Sequence, residues 1–166
     1  MRIEPLQLHH LGDVRRLYRM LIEENPMTYP AFDAQELDNF VLAVVQNLTQ
    51  RPHAFRGWVA IVGRKVVGFL AGDLGERAVG RPLRYGNAMW MYVHPLHRSK
   101  GLGYQLIQAG VAWFTDEGIT HVELFARHGD TQWEERGWTP YLTRYVAPIE
   151  HVRQLLSTPR SVRDVG

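Results

Sequence analysis

Residues 89–114 constrain the chain more than any other stretch. Met89-Trp-Met-Tyr-Val93 is an apolar, aromatic run suited to a buried strand. Pro95 lacks a backbone donor and ends the strand. Two cations follow, Arg98 and Lys100, with two glycines, Gly101 and Gly103. Beyond them Leu106, Ile107, Gly110, Val111 and Phe114 recur at helical spacing and share one face. The glycines therefore fall at a helix N-terminus, where the first N–H groups have no intrahelical partner. With the helix dipole these groups form a place for an anion, most naturally a phosphate. A Gly-x-Gly turn beside cations also serves packing and solubility alone, and the turn by itself leaves both readings open. It is not the dinucleotide fingerprint, because Leu106 stands where the third glycine would be, and no Gly-Lys-Ser or Gly-Lys-Thr makes it a Walker loop.

Ahead of this stretch, residues 2–8 alternate as a short strand. Residues 10–24 carry Val14, Leu17, Tyr18, Leu21 and Ile22 on one helical stripe, with Arg15, Arg16 and Arg19 facing water. Asn25-Pro26 ends that helix. A second helix begins at Asp33 and runs to Arg51-Pro52, burying Leu37, Phe40, Val41, Val44, Val45 and Leu48. Residues 57–62 and 66–71 read as strands around the hairpin turn Gly63-Arg64-Lys65. Residues 72–86, rich in Gly, Arg and Pro, read as a long, mobile loop holding Asp73, Glu76, Arg84 and Tyr85. After the helix closed by Gly118, the pattern predicts a strand at 120–126, a short helix at 130–136 and a last strand or bent pair at 138–146. A short helix from Pro148 and a frayed polar tail follow.

This order predicts a mixed α/β (α+β) domain: a sheet flanked by helices, with a parallel crossover from 89–93 through a helix to 120–126. A ligand belongs at the carboxyl end of those strands, beside the glycine turn. At 166 residues, one domain can bury its own core. The 45% hydrophobic and 22% charged content is that of a soluble globular protein. A net charge of +2, spread along the chain, provides no basic arm for nucleic acid. The absence of cysteine excludes thiolate catalysis and cysteine metal sites. No apolar run approaches about 20 residues, and no signal segment opens the chain, so no membrane partner and a cytoplasmic location are expected. The histidines show no metal-binding spacing.

Taken together, Val93-His-Pro95-Leu-His-Arg98-Ser-Lys-Gly101-Leu-Gly103 resembles the acetyl-coenzyme A motif of the GCN5-related N-acetyltransferases, the GNAT superfamily. That motif is Val-x-Pro, two residues, then Arg/Gln-x-x-Gly-x-Gly/Ala, and every defining position is filled. The element order is similar to that fold from Ile3 to about Val146. The resemblance implies a central, mostly antiparallel sheet with one parallel crossover. It also implies a single catalytic domain over 1–147, with 148–166 as a terminal helix and tail. It implies acetyl-CoA as cosubstrate, a small-molecule or peptide amine as acceptor, and a possible homodimer. The strand at 89–93 is expected to carry a bulge, and the backbone of Met91 and Val93 to meet the pantetheine arm and acetyl carbonyl. The amides of Arg98, Ser99, Lys100, Gly101, Leu102, Gly103 and Tyr104 are expected to hold the pyrophosphate.

The resemblance departs where chemistry is done. Met89 stands where many members place a Glu, and Trp133 where many place a Tyr; an indole can only donate its N–H. The usual Asn is also absent from 126–130. Asp73 is the candidate base, with Glu76, His94 and His97 behind it; each also reads as a solvated polar residue. Tyr85 and Tyr92 lie near the transfer strand and read as aromatic packing. The expected activity is direct acetyl transfer to a primary amine in a ternary complex. The missing Glu and Tyr leave two alternatives: a non-catalytic acyl-CoA sensor, and a partner-binding domain with a degenerate cofactor site.

Overall fold

The computed structural model describes residues 1–24, 34–77, 83–124 and Glu134. The chain divides into two compact units, Met1–Phe125 and Ala126–Gly166. The elements expected at 130–136, 138–146 and beyond Pro148 lie outside the described residues, as do the 147/148 boundary, the segment 27–32 and Trp133.

The first unit is built on a five-stranded sheet in sequential order: β1 (Arg2–Pro5), β2 (Phe55–Val62), β3 (Lys65–Arg77), β4 (Leu83–Val93) and β5 (Val122–Leu124). The first three pairings are antiparallel, and β4 with β5 is parallel. The expected mostly antiparallel sheet with one parallel crossover is therefore present, and helix α3 (Leu102–Asp116) makes the crossover. Helices α1 (Leu11–Glu23) and α2 (Ala34–Gln50) precede β2.

Alternation along the strands makes two cores, one on each sheet face. Val59, Ile61, Phe69, Ala71 and Tyr92 pack with Val14, Leu17, Ile22, Phe40 and Val44 of α1 and α2. Trp58, Ala60, Val67 and Leu70 pack with Leu102, Leu106, Trp113 and Phe114 of α3. Leu17, Phe69 and Leu106 are fully buried, and each contributes about 1.5–3 kcal/mol by leaving water. Two of the three arginines expected to face water on α1 are also used as ties. Arg15 Nη2 bonds Asp38 Oδ1 of α2 at 2.8 Å, and Arg16 Nη2 donates to the Val66 carbonyl at 3.0 Å.

The expected loop at 72–86 is a correction. β3 and β4 continue as one antiparallel ladder from Gly72↔Ala88 to Arg77↔Leu83, leaving only 78–82 between them. Glycines and charges dilute the strand signal there, but cross-strand pairing restores it. The Tyr85 ring lies over its partner Gly75 and leaves no room for a β-carbon.

Candidate functional site

Met89 divides β4. Ala71 faces Trp90 and Gly72 faces Ala88, so Met89 is the extra residue of a bulge. The bulge expected on this strand is present. On the other edge, β5 pairs with β4 only at Gly86, Asn87 and Ala88. Beyond the bulge no described strand covers that edge.

The orientation of the open edge follows from one bond. His94 N–H donates to Val67 O of β3 at 2.8 Å. Alternation along the strand then turns the N–H groups of Met91 and Val93 the other way, toward the uncovered side. The sequence-expected pair Met91 and Val93 therefore lies together on the open edge.

The edge runs directly into the glycine turn. Pro95–His97 form a single 3-10 turn, and α3 starts after Gly101, which has φ +77°. That conformation favours glycine. Ser99 is also in the left-handed region, with φ 60°, a strained setting for a residue bearing a β-carbon. Gln105 N–H donates to Gly101 O at 3.0 Å. Ahead of it, the N–H groups of Leu102, Gly103 and Tyr104 have no intrahelical acceptor. Among the described residues, a β-carbon on Gly101 or Gly103 would meet no atom closer than 3.9 Å, so these residues leave room for a side chain at Gly103. Arg98, Ser99, Gly101 and Tyr104 are exposed, whereas the Leu102 side chain is buried and only its backbone can serve a ligand.

The cations act differently from the sequence reading. Lys100 Nζ donates to the Leu96 carbonyl at 2.9 Å, closing the turn on itself. Arg98 Nε donates to Val93 O at 2.9 Å, and its Nη2 to Glu24 Oε2 at 2.6 Å. Both side chains hold the turn.

A second cluster lies on the other side of the bulge. Phe55, Asp73, Asn87 and Glu123 are successive cross-strand partners on β2, β3, β4 and β5, and so share one sheet face. Phe55 places that face on the side of α1 and α2. Asp73 is not on a loop, as the sequence reading had it, but in mid-strand and half-buried. Burial raises its pKa above the ordinary carboxylate value, against the Arg51 guanidinium and an Asn87 hydrogen bond, which lower it. Arg51 Nη1 lies 3.9 Å from Asp73 Oδ2. Asn87 Oδ1 is buried without a hydrogen-bond partner, a state that costs free energy unless another donor arrives. Asn87 was missed from sequence because it fell between the supposed loop at 72–86 and the strand at 89–93, and its pairing with Asp73 shows only in the ladder.

Two other candidates are also placed. The Tyr92 hydroxyl donates to Glu24 Oε1 at 2.5 Å. Burial and that carboxylate push its pKa strongly upward, so it does not titrate near neutrality. His94 Nδ1 accepts from Leu96 N–H at 3.3 Å, a turn-closing role. Among the described residues, no group of His, Asp and Glu could hold a metal ion, and no helix is long and apolar enough to cross a membrane.

An antiparallel sheet split by a bulge, with a parallel crossover helix opening on a glycine turn, defines an acyltransferase fold. The model of the Acetyltransferase (GNAT) family matches residues 14–132, and the chain belongs to that family. Its fold is shared by several solved structures. A tetramutant of BH1408 protein from Bacillus halodurans is 14% identical over 89% of this chain and 99% of that one, with a TM-score of 0.72. A GCN5-related N-acetyltransferase from Ralstonia eutropha JMP134 is 24% identical over 90% and 98%, with a TM-score of 0.67. An aminoglycoside acetyltransferase, meta-AAC0020, from an uncultured soil metagenomic sample, solved with sisomicin, is 18% identical over 89% and 95%, with a TM-score of 0.65. No curated protein matches the sequence.

Proposed function

We propose that the chain is an acetyl-CoA-dependent N-acetyltransferase that acts on a primary amine, a small molecule or a peptide, by direct attack in a ternary complex. The observation that carries this reading is the open edge of β4 above Met89, running without interruption into the free N–H groups of α3. The pantetheine arm would extend along Met91 and Val93, adding strand-like hydrogen bonds. The pyrophosphate would sit on the amides of Arg98, Ser99, Lys100, Gly101, Leu102, Gly103 and Tyr104. Among the described residues, nothing comes closer than 3.9 Å to a β-carbon at Gly101 or Gly103, which supports that placement.

The acceptor side uses the Asp73 and Asn87 pair, one residue pair below the point where β4 and β5 part. An ammonium cannot attack a thioester, so one proton must leave it first. Asp73, with its raised pKa, is suited to take that proton. The unpartnered Asn87 carbonyl is suited to receive the remaining N–H of the amine. The neutral amine then adds to the acetyl carbonyl, whose oxygen meets the Val93 N–H; the C–S bond breaks as the nitrogen gives up its second proton, and coenzyme A leaves as the thiol that takes up that proton. The similar structure of meta-AAC0020, an aminoglycoside acetyltransferase solved in complex with sisomicin, makes sisomicin a first acceptor to try. The test has two arms: calorimetric titration with acetyl-CoA, and thiol release with a panel of primary amines that includes sisomicin. Binding with amine-dependent release supports the enzyme. Binding with no release for any amine supports a sensor, and no binding overturns both.

A further inference from the structure

The carboxylate of Glu24 is hydrogen-bonded to two residues that frame the open edge and the turn. Its Oε1 accepts the Tyr92 hydroxyl at 2.5 Å, and its Oε2 accepts Arg98 Nη2 at 2.6 Å. These partners are 68 and 74 residues away in sequence. The Arg98 guanidinium also lies 5.1 Å above the Tyr92 ring and donates through Nε to Val93 O. One carboxylate therefore joins the end of α1, the last strand residues of β4 and the first residue of the turn. Burial alone would raise the Glu24 pKa, but the Tyr92 and Arg98 hydrogen bonds outweigh it and hold it below the ordinary value.

The turn needs such a tie. Ser99, immediately after Arg98, has φ 60°, and Gly101 has φ 77°. A strained conformation of this kind persists only where its surroundings enforce it. Lys100 closes the turn internally, while Arg98 anchors it to the rest of the molecule. With Arg98 released, Ser99 can relax to ordinary geometry, and the amides that converge on the anion lose their common direction.

We propose that Glu24 is a positioning residue for the cofactor: through Arg98 and Tyr92 it presets the amides of Ser99–Tyr104 to receive a pyrophosphate. This rests on the reading that the turn binds coenzyme A. The gain is preorganisation rather than a new contact, since the ligand meets a turn already shaped for it. Glu24 is negative and would repel a phosphate if left bare, but its two oxygens are both engaged by donors on the turn side.

The test uses the full chain and acetyl-CoA. Calorimetry on Glu24→Gln should give an affinity lower than wild type by about fivefold or more. In the ligand-free protein, the amide resonances of Ser99–Gly101 should shift while those of Phe69 and Leu106 hold still. In an Arg98→Met background, Glu24→Gln should produce no further loss, because the two changes break one connection. A general structural weakening would instead add to the Arg98→Met loss. If Glu24→Gln does not fold, Tyr92→Phe, which removes one hydroxyl, should show the same direction at smaller size. Unchanged or tighter binding by Glu24→Gln overturns the proposal. Wild type that fails to bind acetyl-CoA overturns the cofactor reading and this inference with it, whereas normal wild-type binding with an indifferent Glu24→Gln overturns this inference alone.

Discussion

The two halves of β4 perform different work although they are one strand. Below Met89, residues Gly86, Asn87 and Ala88 are paired on both edges, and what they can offer a ligand is side chains. Above it, Met91 and Val93 are paired on one edge and offer backbone. The difference explains how the proposed cofactor site can be retained where Met89 and Trp133 replace familiar catalytic residues. A backbone site is set by bulge, register and turn, and tolerates many side chains. A side-chain site changes with each substitution, and the cross-strand row Phe55, Asp73, Asn87, Glu123 is the one proposed here.

That contrast predicts opposite phenotypes on either side of the bulge. The largest effect is expected below it. Asp73→Asn should lower turnover about a hundredfold or more, the scale of a lost general base, while acetyl-CoA affinity stays at the wild-type value. A parallel fall in affinity would break the division. The next is above the bulge: Gly101→Val should weaken acetyl-CoA binding by well over tenfold, about 1.4 kcal/mol or more, since a β-branched residue resists φ +77° and fills the approach. Calorimetry reads that loss. Smaller again is Lys100→Met, whose ammonium closes the turn instead of facing the anion. It should cost less than about threefold in affinity, and a loss as large as that of Gly101→Val would return the lysine to the phosphate.

The pH dependence sharpens the same contrast. The Asp73 pKa is raised in the folded protein above its ordinary 3.8. A base works deprotonated, so kcat/KM should rise with pH through a value above 3.8, and Asp73→Asn should remove that limb. Stability runs the other way. The native state binds this proton more tightly than the unfolded chain, so the contribution is fully present below 3.8 and is lost as pH rises through the folded pKa. Asp73→Asn should therefore melt no lower than wild type at neutral pH, and melting curves across pH 3–7 test it.

The sequence made the backbone half legible and the side-chain half obscure, for physical reasons. Val93, Pro95, Arg98, Gly101 and Gly103 are close in sequence, and each answers a local demand: strand end, donor loss, left-handed φ, open approach. The parallel crossover and the helices were legible through their apolar periods. The long β3–β4 hairpin was not, because Gly72, Gly75 and Gly86 weaken the local strand signal and the ladder forms only across the pair. Asn87 and Asp73 were separated by that misreading. Glu24 carried no local signal at all, since both partners lie far along the chain.

The most direct measurement is an amide NMR titration of the protein with coenzyme A. The largest shifts are expected at the N–H groups of Met91, Val93 and Gly101–Tyr104, with Asp73 and Asn87 nearly still. Shifts concentrated at Asp73 and Asn87, or none along the β4 edge and the turn, would contradict the cofactor reading.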